Sequence, residues 1–497
     1  MQKSIILITV DCLRADHVGF MGYDRPTTPF LDALASEVFV FPSAIVAGAP
    51  TYYSFPAIMA SRYPLALGRD VLGLAPGEPS LASVLKGAGY TTASFSAANP
   101  YISGQFGYEE GFDRFHDFLD TEVAALTENT TPTPNGNGWV SRLNRKLREL
   151  RPRLWPLARV YDGLYFQYCQ RLATPAPGSL DALRRFPAAD VIVDHALSWL
   201  ESVGQRPFFL WLHLMDPHAP YYPKAEALEL MGCDPVTPFR ARYLNSFWNR
   251  SDLGPKGLQR HRDHIIALYD GGIRWVDEQL ARLAAALRDS NRWPDCIFAL
   301  TADHGEEFLD HGSRYHPPSR LTEELIHVPL LLRVPGAAKK ELPRSPFSML
   351  NLAPTLLDAA GLSVPAAFRG RSSWEQVRDG ALHDEAAISE CVAGCTNPFR
   401  IENRLGPRVL AVREVRYKLV LEFDPPADRL YDLEADPGEH QPLPATAEKP
   451  VRRRLLQCAR EHLQGSIRER DVGSRLQARL RELRLEWARS SPERSEA

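Results

Sequence analysis

Four mostly apolar runs, each about as long as a β-strand, stand out along the chain. They cover residues 5–10, 208–214, 296–301 and 328–334. Apolar residues that continue without alternation are typical of strands buried on both faces, as in a parallel sheet covered by helices. We therefore predict that these four runs are strands of a mostly parallel sheet.

Helical periodicity occurs between these strands. Residues 80–88, which Gly89 closes, and residues 265–287 are two such stretches. Strands that alternate with helices are typical of a doubly wound α/β fold. The expected fold class is thus α/β, with a doubly wound, mostly parallel sheet that helices cover on both faces.

The pattern changes after about residue 380. Residues 409–423 alternate between apolar and polar positions, and RLYDLEADPGE follows as a strand and a turn. Such alternation indicates a half-buried antiparallel sheet. We predict a large α/β domain over residues 1–380, a small antiparallel α+β subdomain over 381–446 and a charged helical tail over 447–497.

Two segments allow more than one interpretation. Residues 120–190 begin with an Asn- and Pro-rich stretch and continue with a region rich in Arg, Leu and aromatic residues. This segment is either a helical insertion on the surface or a substrate lid or hydrophobic contact surface. Residues 447–490 are helical and mixed in charge. They form either a solvated amphipathic helix or the contact of a homodimer.

Composition and charge describe an ordinary globular protein. The 58 basic and 61 acidic residues give a net charge of −3, which gives no support for nucleic-acid binding. No run approaches the roughly 18 apolar residues that a transmembrane helix requires. The apolar run after Met1 is too short for a secretory signal and is better explained as the first buried strand.

The seven cysteines are scattered and odd in number. Cys391 and Cys395 form a lone C-x-x-x-C without a second pair, which is a weak metal signal. Reduced thiols in a cytoplasmic protein are the better interpretation. We therefore predict a cytoplasmic location.

Polar residues follow three of the predicted strands. Asp11 ends the first, Asp216-Pro217-His218 follows the second, and Asp303-His304-Gly305-Glu306 follows the third; His213 lies within the second strand. Ligands of open parallel sheets bind just beyond the carboxyl ends of the strands. The three groups are therefore expected to meet at one edge of the sheet.

This combination of oxygen and nitrogen donors suits a metal ion. Asp11, Asp303 and His304 together suit Mn or Zn better than a calcium cage of oxygen ligands, with Ca or Mg as alternatives. A metal would act as a Lewis acid and lower the pKa of a bound hydroxyl. We predict one divalent metal ion.

A candidate nucleophile lies in AIVAGAPTYYSFPAIMASRYP. Gly48 to Pro50 indicate a turn and residues 52–60 a helix, so that Thr51 and Ser54 lie near its N-terminus. Either hydroxyl could be a simple N-cap. A hydroxyl at this position could also act as a nucleophile when a metal deprotonates it.

Seven motifs occur in an order that resembles the sulfatase family of the alkaline-phosphatase superfamily. They are TVDCLRADHVGFMGYDRPTTPFLDALA, HLMDPHAPYYP, LYDGGIRWVDEQL, LTADHGEEFLDHG, LIHVPLLLRVPG, LNLAPTLLDAAG and LVLEFDPPADRLYDLEADPGE. The resemblance covers residues 3–440 apart from 120–190. It implies that Asp11, Asp303 and His304 are metal ligands and that Thr51 is both nucleophile and ligand.

The resemblance also implies roles around the substrate. His218 would hold the transferred group or protonate the leaving oxygen. His316 falls near the place of a basic residue that contacts substrate, although His311 competes for that alignment. Arg14 would either add positive charge or form an ion pair with Asp16. The predicted substrate-binding residues are His316, Arg14, Ser54 and His213.

Two departures from the family pattern limit what the resemblance implies. Family members with sulfatase activity usually carry Cys or Ser followed by x-Pro-x-Arg, whereas this chain has Thr51 at the first position and Phe55 in place of the Arg. Formylglycine is therefore not expected. Cys12 stands where many members carry a second Asp. The remaining set is similar to that of relatives that use Thr on one Mn or Zn to cleave or transfer phosphate diesters.

These residues lead to one functional hypothesis and three alternatives. The hypothesis is a metal-dependent hydrolase that cleaves a phosphodiester, phosphonate or sulfate ester through a covalent Thr51 intermediate. Its substrate would be an ester of a small molecule, glycan or lipid. The alternatives are a sulfuric ester hydrolase that works without formylglycine, a phospho-group transferase, and a metal-binding pseudoenzyme that acts as a binding module.

Overall fold

The computed structural model describes residues 2–69, 71–119, 166–168, 170 and 178–465. The strands are β1 (Ser4–Val10), β2 (Phe39–Val40), β3 (Ala44–Ile45), β4 (Thr91–Ser96), β5 (Arg114–His116), β6 (Phe208–Leu214), β7 (Cys296–Ala302), β8 (Glu307–Phe308), β9 (Arg314–Tyr315), β10 (His327–Val328), β11 (Leu330–Arg333), β12 (Phe347–Ser348), β13 (Ala387–Val392), β14 (Arg408–Arg413), β15 (Tyr417–Phe423) and β16 (Pro426–Asp432).

The helices occupy most of the intervals between the strands. They are α1 (Pro29–Ala35), α2 (Thr51–Ala60), α3 (Leu81–Gly87), α4 (Ala189–Val203), α5 (Ala225–Leu230), α6 (Pro238–Trp248), α7 (Pro255–Leu258), α8 (Arg262–Asp289), α9 (Glu323–Ile326), α10 (Leu352–Ala359), α11 (Trp374–Asp379) and α12 (449–465). In the described part of the chain, no helix is both long enough and apolar enough to cross a bilayer.

A seven-stranded sheet in the order β2-β11-β7-β1-β6-β4-β5 forms the centre of the fold. β1 lies between β7 and β6 and is parallel to both, and β4 and β5 continue the parallel arrangement. Every residue of β6 and β7 is buried, as expected for apolar strands covered on both faces. This architecture confirms the α/β fold class.

The run at 328–334 differs from the prediction in direction and continuity. It is divided into β10 and β11, with Pro329 between them, and β11 pairs antiparallel with β7. Proline has no backbone N–H to donate to a ladder, so the chain changes partner at this residue. Continuous apolarity indicated burial correctly, but it contains no information about strand direction.

The predicted helices lie close to their expected positions. Ser80 is the N-cap of α3, where its side chain accepts a hydrogen bond from the Ser83 N–H and the Ser83 hydroxyl bonds back to the Ser80 N–H. The long helix α8 packs against α4 and α5 through its apolar face. Helices α3 and α8 therefore lie where the apolar periodicity predicted helices.

The predicted small antiparallel sheet is confirmed, and it has four strands. β13 to β16 pair in sequence order, each antiparallel to the next. Val451, Leu455 and Ala459 of α12 pack against Leu410 and Val412 of this sheet. The boundaries predicted at 380 and 446 stay predictions. Most of the 120–190 segment and residues 466–497 of the tail lie outside the described residues.

A buried ion cluster links this subdomain to the larger domain. Lys418 of β15 is fully buried, and its Nζ lies 3.1 Å from Glu323 Oε1 of α9 and 2.9 Å from Glu439 Oε1. Burial alone would raise the pKa of Glu323, but the charges of Lys418 and Arg413 outweigh it and lower that pKa to about 2. Removing the lysine would leave the buried Glu439 and the half-buried Glu323 without their main partner.

Replacement of Lys418 by Met is expected to lower the free energy of unfolding by about 3–5 kcal/mol, because uncompensated buried charges remain. Urea unfolding at pH 7 measures this loss. The matched control is Arg454→Met, which removes a more exposed ion pair with Glu414 from the same subdomain and should cost about 0–1 kcal/mol. Equal losses in the two variants would contradict a special role of the buried cluster.

The cluster also sets a pH dependence. The pKa of Glu323 is lower in the folded protein than its ordinary value of 4.5, so the ionised glutamate stabilises the fold above pH 4.5. That stabilisation is lost as the pH falls from 4.5 towards 2. The wild-type protein should therefore lose more stability across this pH window than Lys418→Met. Urea unfolding of both proteins at a series of pH values measures the difference.

Candidate active site

Three acidic and imidazole side chains meet beyond the carboxyl ends of β1 and β7. Asp11 follows β1, and Asp303 and His304 follow β7; all three are fully buried. His304 Nε2 lies 3.7 Å from Asp11 Oδ1 and 3.5 Å from Asp303 Oδ2. Because β1 and β7 are parallel neighbours, their ends bring together residues almost 300 positions apart in sequence.

Thr51 joins this group from the N-terminus of α2. It is the first residue of the helix, and its Oγ1 lies 3.1 Å from His304 Nε2. The N-cap is Pro50, so the Thr51 hydroxyl is not needed to cap the helix. The partial positive charge of a helix N-terminus stabilises negative charge at such a hydroxyl.

The donor set fits a divalent cation. His304 Nδ1 lies 2.8 Å from the Gly305 carbonyl oxygen. Because a carbonyl oxygen can only accept a hydrogen bond, Nδ1 carries the proton. The lone pair of Nε2 then faces the carboxylates of Asp11 and Asp303. Among the described residues, Asp303 Oδ2 is buried and has no hydrogen-bond partner. Burial, together with the charge of Asp11, raises the pKa of Asp303. A cation between Asp11 and Asp303 would reduce the repulsion between the two carboxylates and would compensate Asp303 Oδ2 for its missing hydrogen bond.

Asn99 is a member of the site that the sequence pattern did not indicate. It follows β4, and its Nδ2 donates a 2.8 Å hydrogen bond to Asp11 Oδ2. Its own Oδ1 accepts from the Tyr101 N–H and so holds the amide in one orientation. The signal was present, since Asn99 is a polar residue after a strand, but β4 (TTASFS) is too polar to stand out as a buried strand.

His213 lies behind Asp11 and is not among the residues that line the cavity. It is fully buried in β6, with Nε2 3.4 Å from Asp11 Oδ2 and Nδ1 3.0 Å from Thr9 Oγ1. Trp211 Nε1 donates to the same threonine oxygen. The arrangement positions Asp11 from the interior of the sheet.

Replacement of Asn99 by Ala is expected to weaken metal affinity by about 10- to 100-fold, because one carboxylate oxygen loses the donor that orients it. Isothermal titration of the metal-free protein with Mn²⁺ or Zn²⁺ measures the change. Ser103→Ala is the control, since its hydroxyl is also buried and, among the described residues, bonds to the Pro100 carbonyl and not to Asp11. An unchanged affinity in Asn99→Ala would show that Asp11 needs no such support.

A cavity of about 480 Å³ opens in front of Thr51. Asn99, His218 and His316 form part of its wall. The His316 ring centroid lies 4.7 Å from that of His304 and 5.3 Å from that of His218. The structure therefore brings both histidines to the predicted reaction centre.

His311, the competing candidate, lies elsewhere. Its Nε2 is 3.3 Å from Glu324 Oε1, and it lines a different cavity, next to the C-terminal subdomain. Hydrogen bonding to Glu324 raises the pKa of His311. Of the two histidines in HGSRYHPPSR, His316 is therefore the one in the candidate active site.

Two other predicted substrate-binding residues lie away from the cavity. The guanidinium of Arg14 is bonded to Asp16, to Asp310 at 2.9 Å and to the Glu306 carbonyl at 2.9 Å. The ion-pair alternative for Arg14 is thus the one observed. The Ser54 hydroxyl donates to the Thr51 carbonyl at 3.1 Å, and neither Ser54 nor Arg14 lines the cavity.

Cys12 occupies the centre of the site. It is fully buried with a left-handed backbone (φ 61°). Its Sγ donates to Asp11 Oδ1 at 3.0 Å and lies 3.4 Å from His316 Nδ1. Burial and the charges of Glu306 and Asp11 raise the pKa of this thiol well above its ordinary value.

Comparison with known families identifies the same region of the chain. The family described as Sulfatase matches residues 3–362, which include every residue of the candidate site. The family described as N-sulphoglucosamine sulphohydrolase, C-terminal, matches residues 314–464. The two matches together span the larger domain, the antiparallel sheet and α12.

Two curated relatives are similar over most of their length. The multifunctional alkaline phosphatase superfamily protein PehA of Trinickia caryophylli is 23% identical over 429 residues, which are 77% of this chain and 78% of that protein. An arylsulfatase of Clostridium perfringens is 25% identical over 426 residues, 75% of this chain and 78% of that protein. Both alignments extend well beyond a single motif.

A solved structure supports the same architecture. A phosphonate monoester hydrolase from Silicibacter pomeroyi superposes with a TM-score of 0.65 at 20% sequence identity. The superposition covers 94% of this chain and 96% of that chain. At this identity the similarity establishes the fold, and the chemistry has to be argued from the residues in the site.

Proposed function

The chain belongs to the sulfatase family and is an ester hydrolase, and we propose that it cleaves a monoanionic sulfate, phosphonate or phosphodiester group through a covalent Thr51 intermediate. One observation carries this proposal. The Thr51 hydroxyl, at the start of α2, lies 3.1 Å from His304 Nε2 in the group that includes Asp11 and Asp303. A nucleophile needs such contact with the group that activates it.

Asp11, Asp303, His304 and Thr51 would hold a divalent metal, which supplies Lewis-acid chemistry when bound. Thr51 Oγ1 gives up its proton to solvent and attacks the sulfur or phosphorus atom, and the bond from that atom to the ester oxygen breaks on the opposite side. His218 lies at the cavity wall and serves the leaving oxygen, by holding it or by protonating it. Water then attacks the Thr51 ester, which restores the hydroxyl and releases the acid.

The charge of the cavity supports a monoanionic group. Two arginines, Arg185 and Arg314, line the described cavity, and the Arg314 guanidinium is bonded to the backbone carbonyls of Trp248 and Arg250. Phe55, at the family's arginine position, packs against Trp211 inside the fold. One divalent metal with few free cations compensates one negative charge better than two.

A substrate panel tests the proposed function. The purified chain would be assayed with p-nitrophenyl sulfate, p-nitrophenyl phenylphosphonate, bis-p-nitrophenyl phosphate and p-nitrophenyl phosphate, with Mn²⁺, Zn²⁺, Ca²⁺ or EDTA. We expect metal-dependent turnover of at least one monoanionic ester and less of the dianionic phosphate. Turnover that EDTA leaves intact, or a preference for the dianion, would contradict the proposal.

The remaining alternatives predict different products. A phospho-group transferase would form a new ester when an acceptor alcohol is added, and a sulfatase that works without formylglycine would hydrolyse only the sulfate ester. A binding module would bind metal and turn over nothing in the panel. A cytoplasmic location and a homodimer through 447–497 stay predictions. Cell fractionation tests the first. Light scattering of the full chain, and of a chain truncated after residue 465 so that α12 stays packed on the antiparallel sheet, tests the second.

A further inference from the structure

A chain of hydrogen bonds reaches the candidate metal site from the interior of the sheet. It begins at Trp211 of β6, whose Nε1 donates to Thr9 Oγ1 of β1 at 3.0 Å. Thr9 Oγ1 lies 3.0 Å from His213 Nδ1, and His213 Nε2 lies 3.4 Å from Asn99 Nδ2. The chain ends at Asp11, because Asn99 Nδ2 also donates to Asp11 Oδ2 at 2.8 Å. All five side chains are buried.

The position of the proton on the His213 ring decides how this chain is bonded. With the proton on Nε2, the ring N–H would point to Asp11 Oδ2 at 3.4 Å and would also face the amide N–H groups of Asn99. Asn99 cannot turn its oxygen towards the ring, because that oxygen accepts from the Tyr101 N–H. The second amide hydrogen of Asn99 would then lack an acceptor in the chain, which is unfavourable for a buried donor.

With the proton on Nδ1, every donor in the chain has an acceptor. A hydroxyl group donates one hydrogen and accepts through two lone pairs. Thr9 Oγ1 then accepts from Trp211 Nε1 and from His213 Nδ1. Its own hydrogen goes to the Leu212 carbonyl oxygen at 3.3 Å. His213 Nε2 offers its lone pair to the second amide hydrogen of Asn99.

We propose that the orientation of Asp11 is set by three positioning residues inside the sheet: Trp211, Thr9 and His213. Thr9, which Trp211 holds, keeps His213 in the Nδ1–H tautomer. His213 Nε2 then fixes the amide of Asn99, and Asn99 orients the carboxylate of Asp11. The effect on metal binding rests on the proposed function, in which Asp11 is a ligand. Partners behind a metal ligand commonly change metal affinity by about 10- to 100-fold.

The ring nitrogens of His213 test the assigned tautomer directly. The full chain is labelled with ¹⁵N-histidine, and long-range ¹H–¹⁵N spectra distinguish the two tautomers. The His213 signals are those that disappear in His213→Phe. We expect the proton on Nδ1 in the wild-type protein, both free of metal and loaded with Zn²⁺. A proton on Nε2 in the wild-type protein would overturn the proposal.

Replacement of Thr9 by Val tests the chain at a distance from the metal, because the Thr9 hydroxyl bonds to neither Asp11 nor Asn99. The variant keeps the side-chain volume but removes the acceptor of His213 Nδ1. We expect the ring proton to move to Nε2 and the Kd for Zn²⁺, measured by competition with a chelating dye, to rise about tenfold. Thr9→Ser keeps the hydroxyl and should restore both the tautomer and the affinity.

Thr301→Val is the matched control. Thr301 is the partner of Thr9 in the register of β1 and β7 and is equally buried. In the described part of the chain, its hydroxyl bonds to the Ala302 carbonyl and to Met349 Sδ. This variant should leave the His213 tautomer and the Kd for Zn²⁺ unchanged. An equal loss of affinity in Thr301→Val would show a general effect of packing and would overturn the proposal.

A double-mutant cycle distinguishes a connected chain from independent effects. Thr9 acts on Asp11 through His213, so Thr9→Val combined with His213→Phe should have the same Kd as His213→Phe alone. We expect that Kd to be about tenfold above the wild-type value. If the two losses instead multiplied, to about 100-fold, the residues would act separately and the positioning chain would be overturned.

The outcomes separate this inference from the proposed function. A wild-type Nδ1–H tautomer that changes in Thr9→Val, in a protein that binds no divalent metal, would support the hydrogen-bonded chain and overturn the metal site. Metal binding whose affinity is unchanged in both Thr9→Val and His213→Phe would overturn the positioning role and leave the metal site intact. Full activity of Thr51→Ala would overturn the covalent mechanism and neither of these.

Discussion

Replacement of Thr51 by alanine is expected to lower kcat by about 10³- to 10⁶-fold, the range seen when a catalytic nucleophile is removed. The hydroxyl lies 3.1 Å from His304 Nε2, and the other residues around it remain in this variant. Binding of substrate should change much less than turnover, because Asn99, His218 and His316 still line the cavity. Steady-state kinetics with the best ester of the panel measures both quantities.

Two further variants show whether the loss belongs to the hydroxyl. Thr51→Ser keeps the oxygen and should retain a measurable part of the activity. Ser54→Ala removes a hydroxyl from the same helix that bonds to the Thr51 carbonyl, and it should keep kcat within about threefold. Mass spectrometry of acid-quenched enzyme should find a sulfuryl or phosphoryl adduct on Thr51. Full metal-dependent turnover by Thr51→Ala would rule out the covalent mechanism.

Replacement of Asp303 by asparagine is expected to remove both metal-dependent activity and metal-dependent stability. The lost electrostatic stabilisation of the transition state is worth several kcal/mol, or about 10²- to 10⁴-fold in rate. The wild-type protein should gain about 4 kcal/mol of stability at a metal concentration 1,000 times the Kd. The variant should gain much less, as thermal unfolding with and without Mn²⁺ or Zn²⁺ would show.

Asp295→Asn is the matched control for this experiment. Asp295 is exposed just before β7, at the end of the strand opposite Asp303. The Asp295→Asn variant should retain both the activity and the metal-induced rise in Tm. Without metal, Asp303→Asn should be at least as stable as the wild-type protein, because it removes one of two neighbouring buried carboxylates. If metal raised the Tm of Asp303→Asn as much as it raises that of the wild-type protein, Asp303 would not be a metal ligand.

Part of the candidate site could be predicted because the relevant signals are local. Asp11 and the pair Asp303-His304 each follow an apolar strand directly, and parallel strands bring their carboxyl ends to one edge. Thr51 could be placed at a helix N-terminus from the turn that precedes it. Their roles as metal ligands and nucleophile stay proposals, which the two experiments above address.

Other members of the site depend on contacts between distant segments. Asn99 reaches Asp11 across 88 positions of sequence, and nothing in SAANP indicates that partner. Glu306 lies in the predicted DHGEE motif, but its isolation from hydrogen bonds is a property of the packed interior. His213 and Arg14 have the right chemistry for a substrate contact, yet one is enclosed in β6 and the other is bound to Asp16 and Asp310.

The α/β class, the parallel strands of the sheet centre and the edge at which the polar residues meet could all be predicted from local patterns, because apolar periodicity directly reflects burial. Three features became evident only in the folded chain: β11 runs antiparallel, His316 and not His311 lines the active-site cavity, and Cys12 lies between two groups of potential metal ligands. Direction, orientation and proximity depend on how separate segments pack, and local patterns do not encode that packing.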